Sequence, residues 1–147
     1  MNRRSLLWGL VAVVAFTILI QFVPFPGLGS NPPVVAEPAW NSTTTRALAV
    51  RACYDCHSNR TRWPWYSRVA PVSWLVAHHV SEGRAALDFS NPSASRVSAA
   101  RAARAVTDHA MPPLYYTWLH PDAALSPAER QTLAAGLRTS LEGAARR

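Results

Sequence analysis

The chain has no lysine, so its positive charge is all arginine: 15 Arg against 8 acids, a formal net charge of +7. It has only two cysteines, Cys53 and Cys56, and only two methionines, of which Met1 is the initiator. No alternation of the strand type runs for more than a few residues, and no segment repeats. These shortages exclude several chemistries. A thioredoxin-like Cys-x-x-Cys requires a βαβ setting that the pattern does not supply. A structural zinc site requires four Cys or His ligands, and the histidines form no second compact pair at finger spacing. A plain disulfide between Cys53 and Cys56 is the remaining alternative.

What is present at those cysteines is Cys53-Tyr54-Asp55-Cys56-His57. Covalent attachment of a c-type haem uses this arrangement. Each thiol adds across one vinyl group, and the imidazole after the second cysteine becomes the proximal iron ligand. Two intervening residues make one helical turn, which brings both sulfurs to one porphyrin edge. The expected cofactor is therefore one covalently bound haem c with its iron, attached at Cys53 and Cys56 and ligated by His57.

Such haem is attached outside the bacterial cytoplasm, so an export segment is expected. Arg3 and Arg4 precede an uncharged apolar run from Leu6 to Val23, closed by Pro24-Phe25-Pro26-Gly27. Eighteen residues at helical rise cover roughly 27 Å, close to the hydrocarbon thickness of a bilayer. Residues 1–26 are read as an uncleaved single-pass anchor in the cytoplasmic (inner) membrane; a cleaved signal is the rival. The two arginines put the N-terminus in the cytoplasm and the rest of the chain in the periplasm. Residues 27–40, rich in proline, read as a semi-rigid tether. Residues 41–147 suffice for one haem domain. Without Arg3 and Arg4 the remainder carries +5. That charge suits an acidic redox partner or anionic lipid, or is simply a solvated surface. A periplasmic domain has no nucleic acid to meet.

The haem domain reads as all-α, with four helices and two aromatic loops. Asn41 or Ser42 caps a first helix through Thr45, Leu48, Ala49 and Ala52, which delivers the cysteines. Pro71 opens a second, with Val72, Leu75, Val76, His79 and Val80 as its apolar face, fading near Leu87. Asn91-Pro92-Ser93 caps a third, lined by Ala99, Ala102, Ala103, Val106 and Ala110 and stopped at Met111-Pro112-Pro113. Ser126-Pro127-Ala128-Glu129 starts a fourth, striped by Leu133, Leu137 and Leu141. The runs Arg62 to Tyr66 and Leu114 to Pro121 are the aromatic loops.

Met111 is the candidate distal iron ligand, because the helix stop and two prolines fix its backbone. A core methionine filling a gap is the alternative. His78, His79, His109 and His120 compete for the same role. Trp63, Trp65, Tyr66, Trp74, Tyr115, Tyr116 and Trp118 suit either a haem pocket or ordinary core packing. Arg60, Arg62 and Arg68 are candidate propionate partners.

The stretches CYDCHSNRTRWPWYSRVAPVSWLV and MPPLYYTWLHPDAALSPAER resemble the bacterial haem-binding domain family of small CxxCH proteins, over about Trp40 to Leu141. The resemblance implies a layout similar to small class I cytochromes c, with Cys53 and Cys56 as attachment sites, His57 proximal and Met111 distal. The expected function is single-electron transfer with redox proteins of the respiratory membrane, not catalysis. A peroxidase-like enzyme, or a gas or redox sensor with a labile sixth ligand, is the alternative.

Overall fold

A computed structural model describes residues 2–144. Among the described residues the structure is all-helical and has no strand. Seven α-helices occur: α1 (Arg3–Ile20), α2 (Thr43–Ala52), α3 (Tyr54–His57), α4 (Val72–Ala86), α5 (Ala99–Thr107), α6 (Leu114–Leu119) and α7 (Pro127–Ala144). Short 3-10 helices lie at Trp65–Arg68, Pro92–Ala94 and Pro121–Ala123. The chain forms two compact units, Met1–Gly29 with Trp63–His79, and Ser30–Arg62 with Val80–Arg147.

In the first unit α1 exposes almost every side chain, and it is long and apolar enough to cross a membrane. Gln21 follows its last turn. Its side chain accepts from the Ala70 amide (2.9 Å) and donates to the Ala70 carbonyl (3.2 Å).

The second unit holds the core. Ser42 caps α2 by accepting from the Thr45 amide at 3.0 Å. Ser126 and Glu129 form a reciprocal capping box at the start of α7, the glutamate accepting from the Ser126 amide at 2.8 Å and the serine from the Glu129 amide at 3.3 Å. Leu48, Ala49 and Ala52 of α2, Ala102, Ala103 and Val106 of α5, and Leu133, Ala134, Leu137 and Leu141 of α7 share one apolar cluster with Tyr54, Leu87, Phe89 and Leu125. At Gly136 the α7 backbone comes so close to Thr45 that a β-carbon would collide with its side chain. Helix α2 and helix α7 therefore meet at a glycine, which permits their close approach.

Several sequence expectations change. The second aromatic run is a helix, α6, entered from Pro113, whose carbonyl accepts from the Tyr116 and Thr117 amides. Asn91-Pro92-Ser93 closes into a 3-10 turn and does not cap α5. That cap is Ser98, which accepts from the Arg101 amide. Ala110 lies beyond the end of α5 and is exposed. On α4 the inward residues are Ser73, Ala77 and Val80, whereas Val72 and Leu75 are exposed. Further along α4 a β-carbon at Gly83 would stand 2.5 Å from the Cys56 carbonyl oxygen, so there the helix meets the Cys56 backbone with only a glycine between them.

Residues 30–40 are extended, and several are laid along the second unit. The Val35 and Ala36 amides donate to the Ser90 carbonyl, Asn31 donates to the Thr61 carbonyl, and Glu37 accepts two bonds from Arg46. Pro38 is buried and Trp40 packs on Phe89 at 5.3 Å between ring centres.

Candidate haem site

Cys53, Cys56 and His57 occupy one helical turn. The Cys56 and His57 amides both donate to the Cys53 carbonyl, at 3.2 and 2.9 Å. Tyr54 points from this turn into the core, stacked on Phe89 with ring centres 5.5 Å apart. Its side chain thereby anchors the motif. Burial and the neighbouring Glu37 carboxylate push its phenol up to about 12. Both thiols are free and half-buried. Burial pushes Cys53 up to about 12 and Cys56 to about 11, with Cys56 and Asp55, respectively, adding negative charge nearby. Both are therefore neutral thiols near pH 7 and poor nucleophiles, unlike the low-pKa cysteine of a dithiol redox centre.

His57 carries the clearest geometric signature. Its Nδ1 lies 2.8 Å from the Gly83 carbonyl oxygen and 3.0 Å from that of Leu87. Carbonyl oxygens only accept, so Nδ1 holds the proton. Nε2 of the neutral ring is then a bare lone pair. Desolvation lowers the His57 pKa, partly opposed by the two backbone bonds, so the neutral ring is the favoured form. A metal-ligating histidine has this arrangement, with the far nitrogen fixed by a carbonyl. The ring is also held through its own backbone, because the Phe89 amide donates to the His57 carbonyl at 2.8 Å.

Three groups missed in the sequence buttress the turn. The Asp55 carboxylate accepts from Tyr116 Oη at 2.8 Å and from the Arg62 amide, Nε and Nη2 at 3.0, 3.2 and 3.0 Å. This ties α6 to the cysteine motif. Arg84 donates to the Ser58 and Ser30 carbonyls and to Thr61 and Asn31 side chains. It locks the strand of chain leaving His57. Gly83 permits the approach that puts its carbonyl on the ring. No signal in the sequence marked Asp55 or Arg84; the Gly within a helical pattern was the one available hint.

Met111 belongs to a different element, the loop from α5 to α6. Its amide donates to the Ala105 carbonyl at 2.8 Å and its carbonyl accepts from Arg130 at 3.0 Å. The backbone is pinned on both sides, while the residue is 37% exposed. After it, α6 leaves Leu114, Tyr115, Trp118 and Leu119 exposed. Of the competing histidines, His109 sits in the left-handed region at φ 59° and is exposed, and His120 stacks on Tyr116 at 4.4 Å. His78 and His79 are adjacent on α4, in the first unit. None of the seven aromatic residues singled out in the sequence belongs to the buried core, whose rings are Tyr54 and Phe89. Arg60 and Arg62 are engaged by Glu37 and Asp55.

A family model described as a haem-binding domain matches residues 15–139. The chain belongs to this haem-binding domain family. The match takes in the last third of α1, the cysteine turn, Met111 and most of α7, so the family assignment and the geometry concern the same residues. No curated protein and no solved structure matches the chain.

Proposed function

We propose that this haem-binding protein is a membrane-anchored, periplasmic monohaem c-type cytochrome that carries single electrons. In this reading Cys53 and Cys56 would hold the haem covalently, and His57 and Met111 would bind its iron. Bound haem contributes a one-electron ferric–ferrous couple. The protein's part is to fix its ligands and to limit their movement. The observation that carries the reading is the His57 ring. The carbonyls of Gly83 on α4 and of Leu87 just beyond it hold its proton at Nδ1 and leave Nε2 open, on the same turn as the two cysteines.

A histidine and a methionine together would raise the potential relative to two histidines. Fixed ligands also keep reorganisation small. The α1 anchor, with its Arg3-Arg4 flank, would hold the domain near redox proteins of the respiratory membrane and raise its effective concentration there. The partial exposure of Met111 favours a second reading, in which that ligand is labile and the protein is peroxidase-like or a gas or redox sensor.

The test is an absorption spectrum of the haem-matured full chain, oxidised and reduced, with and without carbon monoxide, plus haem staining after denaturing electrophoresis. A stained band that Cys53→Ala and Cys56→Ala together abolish supports covalent attachment. A spectrum indifferent to carbon monoxide, made responsive by Met111→Ala, supports the electron carrier. Ready binding by the unmutated protein selects the labile-ligand reading. No haem band after competent maturation overturns both.

A further inference from the structure

Helix α4 turns its small residues inward and leaves Val72 and Leu75 exposed, 44% and 54%. Just before it, Trp65 is 78% exposed and Val69 46%. Single exposed apolar side chains are ordinary on a soluble surface. Here four fall within one short stretch, and that stretch belongs to the same compact unit as α1.

Its place in that unit is fixed. Gln21, immediately after α1, bonds both the amide and the carbonyl of Ala70, and its amide nitrogen also donates to the Thr17 carbonyl. Ala70 lies between Val69 and Val72, so the exposed side chains are held at the C-terminal end of α1. Phe22 and Val23, next in the chain after Gln21, are exposed as well. The charge pattern agrees with the location. Residues 63–79 contain no acid and one arginine, Arg68, which is exposed. Tryptophan, aliphatic side chains and an arginine in a stretch free of acids are what the boundary between headgroups and acyl chains accepts.

We infer that residues 65–75 are a second membrane contact, seated in the outer leaflet beside the exit of α1. Trp65, Val69, Val72 and Leu75 enter the headgroup–acyl boundary and Arg68 meets lipid phosphate. The inference rests on the proposal that α1 spans the bilayer. It adds that the chain does not simply hang from its anchor: the start of α4 lies on the membrane.

The test uses the full haem-loaded chain in nanodiscs of phosphatidylcholine and phosphatidylglycerol carrying a phospholipid with a diazirine high on its acyl chain. After illumination, adducts are mapped by mass spectrometry on peptides covering 3–20 and 63–79. Adducts on both are expected. The Val72→Ser, Leu75→Ser double variant should lose those on 63–79 and keep those on 3–20. Adducts on 3–20 alone in the unmutated chain overturn the inference and leave the anchor standing; the apolar face then belongs to a protein partner or a second copy. Undiminished labelling of 63–79 in the double variant overturns the assignment of the inserted residues. Absence of the 3–20 peptide, or of adducts on it, overturns the anchor and the inference together.

Discussion

Replacing Gly83 by alanine sets two effects against each other at one position. In an ordinary helix interior the change stabilises by about 1 kcal/mol, because glycine is the poorer helix former. At this site the new β-carbon would stand 2.5 Å from the Cys56 carbonyl oxygen, 3.0 Å from its carbon and 3.1 Å from the Cys56 β-carbon. The first two are backbone atoms and cannot rotate away. Either α4 or the cysteine turn must move, an overpacking cost of about 1–3 kcal/mol. Such a shift also stretches the 2.8 Å bond from His57 Nδ1 to the Gly83 carbonyl, a further ~1 kcal/mol. The clash outweighs propensity, and the net expectation is destabilisation by about 1–3 kcal/mol. For a chain of this size that is a fall in Tm of roughly 3–10 °C. The assay is thermal unfolding of the full haem-loaded chain followed by circular dichroism, with the haem absorption read alongside. The haem absorption should change in the same variant, because the displaced carbonyl no longer orients the His57 ring. A Gly83→Ala protein as stable as the parent, with an unchanged spectrum, would refute the claim that this glycine positions the histidine.

Asp55→Ala removes the acceptor shared by Tyr116 and three Arg62 nitrogens, and should cost about 1.5–3 kcal/mol by denaturant titration. Arg62→Ala should cost under about 1 kcal/mol, since its side chain is largely exposed; equal losses from the two would disprove the ranking. Arg84→Met strips the bonds to Ser30, Asn31, Ser58 and Thr61, so limited proteolysis should cut more readily near residues 30–31 and no faster elsewhere. The Glu37 pKa is lowered chiefly by its hydrogen bonds from Arg46, so the folded state binds that proton more weakly than the unfolded state. Its stabilisation is present above the ordinary carboxylate range and disappears as pH falls through its own lowered pKa. The stability gap between the parent and Glu37→Gln should accordingly close in acid, and a gap independent of pH would count against the pairing. Gly136→Ala should destabilise through Thr45, and Thr45→Ala in the same chain should recover part of the loss, which a double-mutant cycle measures directly.

The parts of the fold legible in the sequence are those whose causes are local. Ser42 before Thr43, and Ser126-Pro127 with Glu129, announce α2 and α7 because a cap is satisfied within three residues. The leucine stripe of α7 is likewise a property of one helix. The apolar period of α4 misled for the opposite reason. Val72 and Leu75 lie on a regular helical stripe, yet both are exposed while Ser73 and Ala77 are buried. Periodicity reports that a helix has a face. Which face turns inward depends on what packs against it, and no periodicity contains that.

The candidate site divides in the same way. Cys53, Cys56 and His57 are visible because the motif has a fixed spacing along one turn. The groups that hold the His57 ring are not, since a backbone carbonyl leaves no trace in residue identity. Gly83 and Leu87 act through their oxygens, and any residue would carry the same atom. What the sequence controls is whether that atom can come within 3 Å of the ring, and this requires the missing β-carbon at Gly83. The glycine thus helps to decide which nitrogen of the imidazole carries the proton. Aspartate at position 55 has a comparable role: it stands between the cysteines, unremarked by the motif, and joins α6 to the turn through Tyr116. Because Met111 enters α6 through the short Pro112-Pro113 link, the bond from Tyr116 to Asp55 restrains how far the methionine loop can swing from the cysteines. If Met111 binds the iron as proposed, Tyr116→Phe should loosen its side without touching His57, raising the rate of carbon monoxide binding while leaving haem staining unchanged; an unchanged rate would mean that Arg130 alone holds the loop.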